Sequence, residues 1–264
     1  MHAGLRFVLT FAIAFACAAP ALAQSAMGGV DMTLPKMTEA EMTRDEVVAR
    51  LEASTKESPA DFTRLWLNGL DLSGLDFSGA VLRAASLNGA DLRGARFDGA
   101  ILSQAWMIGA NLEGSSLVGA ELFQTQLGKA NLSGADFTSA RTAADFTKAT
   151  LTGAVFRDAD FSADMRNQSM GLMRGVLKSA RGEGVDFTGA RMSRADLEFA
   201  KLPGANFAGA DLSMATLGGA DLSDADVSGT NFENADLTST RLKGVVGADS
   251  ANLDAAKNLN RAFR

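Results

Sequence analysis

The feature that most restricts the fold of this chain is an apolar residue that recurs every five positions over most of its length. A period of five matches neither the 3.6 residues of a helical turn nor the alternation of a flat strand. A chain that turns a corner every five residues sends each of these side chains inward. In one clear stretch they are Leu67, Leu72, Phe77, Leu82, Leu87, Leu92, Phe97 and Leu102. Self-similarity of this kind predicts a solenoid.

Two further positions of the unit support repeated tight turns. The residue two before each central residue is small or apolar and is most often alanine, as at Ala80 and Ala90. The residue two after it is often glycine, as at Gly89 and Gly94. Glycine adopts a positive φ at little cost, which tight turns require. The pattern therefore assigns two inward positions and one turn position to each unit.

The individual units resemble the pentapeptide repeat family, whose unit reads Ala-Asp/Asn-Leu-x-x. Residues 90–94, 130–134 and 220–224 match it closely. The resemblance implies an all-β fold, a right-handed quadrilateral parallel β-helix with four units to each coil. On that basis we expect about eight coils with short helical caps. Phe77, Phe97 and Phe137 should then share one inward column, and Phe187 and Phe207 another.

The repeat also predicts the organisation of the chain. We expect a signal peptide at 1–23, a flexible lead at 24–37, an N-terminal capping helix within 38–60, the β-helix at 61–245 and a C-terminal cap at 246–264. Residues 43–46 form a capping-box sequence, and helical spacing at 253–263 predicts a helix at the other end. The period is irregular at 162–185, where either distorted coils with a loop or a helix-bearing excursion fits the spacing.

The N-terminal residues have the features of a secretory signal. Arg6 precedes an apolar run that is too short to span a bilayer comfortably, and Ala21 and Ala23 form a small-x-small cleavage site. We therefore expect cleavage after Ala23 and a periplasmic or secreted protein with no membrane span. Lipid anchoring at Cys17 is the less favoured alternative.

The residue inventory argues against most catalytic designs. The chain has one histidine, one cysteine and no tyrosine, and both His2 and Cys17 lie in the predicted signal peptide. After cleavage the chain would have no histidine or cysteine, and therefore no histidine base, cysteine nucleophile or His/Cys metal site. The regularly spaced aspartates, such as Asp71 and Asp91, are predicted to be exposed turn residues rather than a hydrolase pair. We expect no enzyme activity, no cofactor and no metal.

A group of large apolar residues interrupts the otherwise polar outward positions. The period of twenty places them on neighbouring columns, along one side of the rod. They are Trp66, Val81, Ile101, Trp106, Ile108 and Phe123. Such a patch usually marks a covered or binding surface. Either residues 24–37 or the N-terminal helix cover it, or a protein partner or a second copy binds there, or Trp66 and Trp106 form a platform for carbohydrate.

These observations predict a non-catalytic, exported, rigid protein–protein interaction or structural module of the cell envelope. The alternative is a carbohydrate-binding module of the envelope that uses Trp66 and Trp106. Some members of the family that the repeat resembles imitate DNA and inhibit topoisomerases, but those targets are cytoplasmic and this chain carries an export signal. Its modest net charge of −6 also argues against DNA mimicry, and no basic patch in the sequence predicts nucleic-acid binding.

Overall fold

The computed structural model describes residues 31–162 and 174–264, and their dominant feature is a regular set of parallel β-bridges. The first four start at Asp61, Trp66, Asp71 and Asp76, and each joins its residue to the one twenty positions later. The chain therefore has four walls per coil, here called walls 1 to 4 in that order. Each coil contributes a single bridged residue to each wall rather than an extended strand, because the chain turns again within five residues.

The coils are held together by backbone hydrogen bonds between successive levels. Leu92 N–H donates to the carbonyl of Asn111 at 2.7 Å, and Asn111 N–H donates back to Ala90 at 2.9 Å. Wall 1 passes through nine levels in the described part of the chain, one more than the predicted eight or so. They are Asp61, Val81, Ile101, Glu121, Arg141, Asp160, Arg191, Asp211 and Asn231.

The core is a narrow column of the central residues and the alanines that precede them, nearly all completely buried. Phenylalanine rings stack along wall 4, with centroids 5.0 Å apart for Phe77 and Phe97 and 5.0 Å apart for Phe187 and Phe207. Phe156 joins the two predicted columns into one, since it stacks on Phe137 at 4.6 Å and on Phe187 at 5.3 Å. The prediction of two separate phenylalanine columns is therefore wrong.

A four-residue unit supplies the first of two changes in spacing that merge the columns, and the insertion described below supplies the second. The bridge from Gln126 reaches Asp145, nineteen positions on, and Thr142 takes the central position of the shortened unit. Thr142 is fully buried, and its Oγ1 has no hydrogen-bond partner among the described residues. An unsatisfied buried hydroxyl destabilises the folded state by about 1–3 kcal/mol.

Thr142→Val is expected to raise the melting temperature by about 2–4 °C, because it replaces the orphan hydroxyl with a methyl group at nearly constant volume. Thr125→Val is the matched control, since Thr125 is equally buried but its Oγ1 donates to the carbonyl of Leu102 at 2.8 Å. The control should lower the melting temperature. Equal shifts of the same sign in the two thermal melts would contradict this account.

The irregular region is shorter than predicted. The bridge from Asp145 reaches Val176, thirty-one positions on, so eleven residues are inserted into one coil. Residues 174–185 belong to the walls, with Leu177 and Ala180 buried like their counterparts elsewhere. The boundary of 162–185 is therefore wrong at its C-terminal end, because the coil resumes as soon as the chain returns to wall 2. The alternatives of loop and helix fall on residues 163–173, outside the described residues.

The N-terminal end carries two α-helices in its described part, α1 at Pro35–Thr38 and α2 at Arg44–Glu52. The capping box of α2 is present as predicted: Thr43 and Glu46 each bond the other's backbone N–H. Val47 is fully buried and joins the core cluster. The predicted flexible lead is wrong for its described part, because Met37 in α1 is only 5% exposed and holds that segment against the rod. Residues 1–30 lie outside the described residues.

The predicted C-terminal helix is also wrong. Residues 246–264 hold two 3₁₀ turns, Leu253–Ala255 and Leu259–Arg261, and otherwise continue the walls. Lys257 bridges to Asp236 and Phe263 bridges to Arg241 in parallel. The coil above supplies the backbone partners that a helix would otherwise provide internally, so the chain keeps turning to its end.

Candidate interaction surface

The predicted apolar patch lies on walls 1 and 2 and at the corners beside wall 2. Val81 and Ile101 are bridged neighbours on wall 1, and Trp106 lies on wall 2 in the same coil as Ile101. Phe123 follows at the corner between these walls, where its carbonyl accepts from Gln104 N–H at 2.8 Å. All of these side chains are half-buried rather than freely exposed. They therefore occupy two adjoining walls of the rod, and the corners beside wall 2, over adjacent coils.

The Trp66 end of the patch is occupied by the N-terminal segment. Trp66 N–H donates to Glu41 Oε1 at 2.8 Å, and Glu41 N–H donates to the carbonyl of Trp66 at 2.9 Å. Ala40 forms an antiparallel bridge with Leu67. The segment that docks here is thus 36–41, which overlaps only the last two residues of the predicted cover at 24–37.

An asparagine ladder at the corner between walls 2 and 3 receives this segment. Asn68 Nδ2 donates to the carbonyls of Lys36 and Glu39, at 3.1 and 2.7 Å. Asn88 Nδ2 donates to the carbonyl of Met37 at 3.2 Å, and its Oδ1 accepts from Ile108 N–H at 2.9 Å. The docking thus ends where the ladder ends, one coil before Trp106 and Ile108.

This arrangement bears on the carbohydrate alternative. Trp66 and Trp106 do lie on one wall, on either side of Ser86. Glu41 is bonded to the Trp66 backbone at one end of this wall, while Trp106 lies two coils away from Trp66. The carbohydrate alternative is not favoured.

The aspartates that precede central residues act as turn acceptors. Asp71 Oδ1 accepts from the hydroxyl of Ser73 at 2.6 Å and from its backbone N–H at 3.0 Å, and these bonds lower the pKa of Asp71. Asp91 is the bridged neighbour of Asp71 on wall 3, and a hydrogen bond from the Arg93 guanidinium lowers the pKa of Asp91. A general acid needs a raised carboxyl pKa, so the pair does not suit hydrolysis.

Hydrogen bonds also lower the pKa of Asp160, the acidic residue on wall 1 that precedes the insertion. Burial raises the pKa of Asp160, but hydrogen bonds from Ser162 and Arg191 outweigh it, and the net shift is downward. Within 31–162 and 174–264, no group of three or more ligating side chains is arranged to hold a metal ion.

The most exposed large apolar side chains lie elsewhere and were missed by the sequence reasoning. Phe199 is 57% exposed and Met214 is 41% exposed, both at corner positions that usually carry glycine. Val246 and Phe263 belong to the last coil. A signal was available for Phe199 and Met214, because each stands two positions after a central leucine, where small residues are the rule.

The family model for pentapeptide repeats matches the chain in eight copies, over residues 76–114, 115–141, 142–163, 183–219 and 215–245. These matches cover more than half of the chain. The protein belongs to the pentapeptide repeat family. Pentapeptide repeat proteins fold as right-handed quadrilateral β-helices, which the four walls fit, and they are generally non-enzymatic structural modules. No catalytic family is indicated, and no curated protein matches the chain.

Several solved pentapeptide repeat structures are similar to this chain. HetL from the cyanobacterium Nostoc sp. strain PCC 7120, which is involved in heterocyst differentiation regulation, is 27% identical over 84% of this chain and 100% of its own, with a TM-score of 0.30. QnrB1, a plasmid-mediated fluoroquinolone resistance protein, is 20% identical over 73% of this chain and 92% of its own, with a TM-score of 0.50. At that identity the likeness to QnrB1 shows the fold alone.

The helices in the described part of this pentapeptide repeat protein are short. Among the described residues, none is long and apolar enough to cross a bilayer.

Proposed function

We propose that this pentapeptide repeat protein is an exported, non-catalytic interaction module of the cell envelope, located in the periplasm or secreted after cleavage at Ala23. Its rigid rod would bind a protein partner through the apolar patch. The observation that carries the proposal is the placement of Val81, Ile101, Trp106 and Phe123 on two adjoining walls and the corner between them, in successive coils. Apolar groups of this size at outward positions add nothing to the rod's own core.

The physical argument favours a protein partner for the free end of the patch. Aromatic residues dominate binding energy at protein interfaces, and tryptophan is enriched among the residues that matter most. The docked segment 36–41 leaves Ile101 and Trp106 outside the asparagine ladder that holds it. A second copy of the chain is the other occupant that this surface suits, and the experiment below separates the two.

The double variant Trp106→Ala with Ile101→Asp is expected to lose the partner in a pull-down from a periplasmic extract. Truncating a central tryptophan costs about 2 kcal/mol or more of binding free energy, and the new carboxylate adds desolvation. The matched control is Thr150→Ala with Val155→Asp, which makes similar changes at half-buried outward positions of walls 3 and 4.

Thermal melts establish that both double variants are folded before the comparison is made. Loss of the partner by the first variant and its retention by the control supports the proposal. Retention of every partner by a folded Trp106→Ala, Ile101→Asp protein would show that the patch is not the binding surface. Sedimentation of the purified protein distinguishes self-association, which would appear as a dimer that the same variant dissolves.

A further inference from the structure

A line of lysines follows the corner between walls 2 and 3 through three successive coils. Lys129 N–H donates to Thr147 at 2.9 Å, and Lys148 N–H donates to the carbonyl of Lys178 at 3.0 Å. Phe199 comes one coil further on, at the same corner. These four residues are here called the lysine corner, and all of their side chains are exposed.

The adjoining wall 3 extends the positive charge. Arg181 and Lys201 are bridged neighbours there, and both are exposed. Lys178 is paired with Glu198, Nζ to Oε2 at 2.6 Å. Within the part of the chain that the structure describes, Lys129, Lys148, Arg181 and Lys201 form no ion pair. These cations lie close together on a protein whose net charge is −6, with Asp221 as the bridged neighbour of Lys201 on the next coil.

Phe199 has an unusual conformation for its residue type. Its φ is +57°, in the left-handed region that bulky residues rarely adopt, and its side chain is 57% exposed. The ring lies against Gly219 of the next coil, where an added Cβ would approach the ring to 2.7 Å, and the Lys178 ammonium lies 6.0 Å from its centroid. Glycine would make this turn without strain, so the folded rod gains little from phenylalanine here. Strain held at an exposed position points to a role outside the fold.

We propose that the lysine corner, together with Arg181 and Lys201, binds an anionic lipid surface. The cations would pair with lipid phosphates, and the Phe199 ring would enter the interfacial region beside them. The bridges of the adjoining wall 3 are already paired between successive coils, so this corner offers no open sheet edge for a peptide to join. Peripheral membrane binding commonly needs both a polybasic region and an apolar anchor, and this corner has both. The proposal is independent of Trp106 and of the partner proposed above.

Co-sedimentation tests this directly. The full protein is expected to bind vesicles of two parts phosphatidylcholine to one part phosphatidylglycerol, to bind phosphatidylcholine vesicles far more weakly, and to lose affinity as salt is raised. Lys129→Gln, Lys148→Gln and Lys201→Gln combined should lower the affinity for anionic vesicles on the order of 100-fold, since each charge contributes about fivefold.

Phe199→Gly separates a binding role from a structural one. It is expected to lower the vesicle affinity about tenfold, while raising the melting temperature by about 2–4 °C as the strained turn relaxes. Met214→Gly is the matched control, with φ +56° and 41% exposure at a different corner. It should raise the melting temperature in the same way and leave vesicle binding unchanged.

Several outcomes would overturn the proposal. Equal binding to both vesicle types, or to neither, removes the anionic surface as the ligand. Suppose that Phe199→Gly binds vesicles as well as the wild type does, and that soluble polyglutamate displaces the vesicles completely from the protein. The corner is then a site for soluble polyanions and not for a bilayer. A fall in the melting temperature of Phe199→Gly would assign the ring to the fold instead.

Discussion

Replacing Gly182 with leucine is expected to destabilise the rod by about 3 kcal/mol or more, although the repeat pattern has leucine at the corresponding position of the coils on either side. A Cβ at Gly182 would lie 2.6 Å from the carbonyl carbon of Leu151 and 2.9 Å from its oxygen. These atoms are backbone, and Leu151 N–H is bonded to Arg181 at 2.7 Å, so the two coils cannot separate without breaking the wall. The melting temperature should fall by about 6–12 °C.

Gly182→Ala isolates the steric cause of this loss. It adds only the Cβ that meets the backbone and should keep most of the destabilisation. Gly153→Ala is the matched control in the preceding coil, because its φ is +64° and nothing lies within 4 Å of an added Cβ. We expect that control to cost only about 1–2 kcal/mol, the strain of a left-handed alanine. Thermal melts in which Gly182→Leu matched the wild type would show that this wall has room for a side chain.

Gly182 illustrates where sequence reasoning fails in a repeat protein. The period of five predicts which residues turn inward, and the buried central residues and alanines confirm it. From the period alone, a leucine would be expected to fit at the central position that Gly182 occupies. Only the spacing of the coils reveals that the backbone of Leu151 already fills that place.

The prediction of two phenylalanine columns was wrong for a related reason. Counting in twenties works while every unit has five residues, and it correctly stacks Phe77 on Phe97. The short unit at Thr142 and the eleven inserted residues change the offset twice, so Phe137, Phe156 and Phe187 share a column that no constant period predicts. Wherever a unit gains or loses residues, the residue number no longer predicts the wall on which the following residues lie.

The outward surface was partly predictable from the same counting. The bridges put Ser86 between Trp66 and Trp106, as a period of twenty requires. The contact of residues 36–41 with Trp66 depends on hydrogen bonds from Asn68 and Asn88, which follow a central leucine at a position where the repeat unit specifies no residue. The exposure of Phe199 depends on a turn conformation that its residue type disfavours. Both features arise from tertiary contacts and backbone geometry that hydrophobic periodicity does not encode.

Phe156→Ala is expected to cost about 4–5 kcal/mol of unfolding free energy, among the largest losses available in this core. The Phe156 ring stacks between Phe137 and Phe187 at interplanar angles of 13° and 11°, and packs edge-on or tilted against Phe146 and Phe161. All five rings are completely buried. Removing the middle ring opens a cavity and deletes four aromatic contacts, each worth about 0.5–1.5 kcal/mol beyond its buried area.

Phe156→Leu is the matched control, because Leu117 already takes the corresponding place in the column between Phe97 and Phe137. It keeps most of the apolar volume and should cost less than half as much as alanine. Thermal and urea melts of the two variants give the difference. Because each coil of a solenoid contacts only its neighbours, amide exchange in Phe156→Ala should quicken first in the adjacent levels around Phe137 and Phe187. Uniformly faster exchange from Asp61 to Asn231 would instead mean that the rod unfolds as one cooperative unit, and that the stacked rings stabilise all of its coils together.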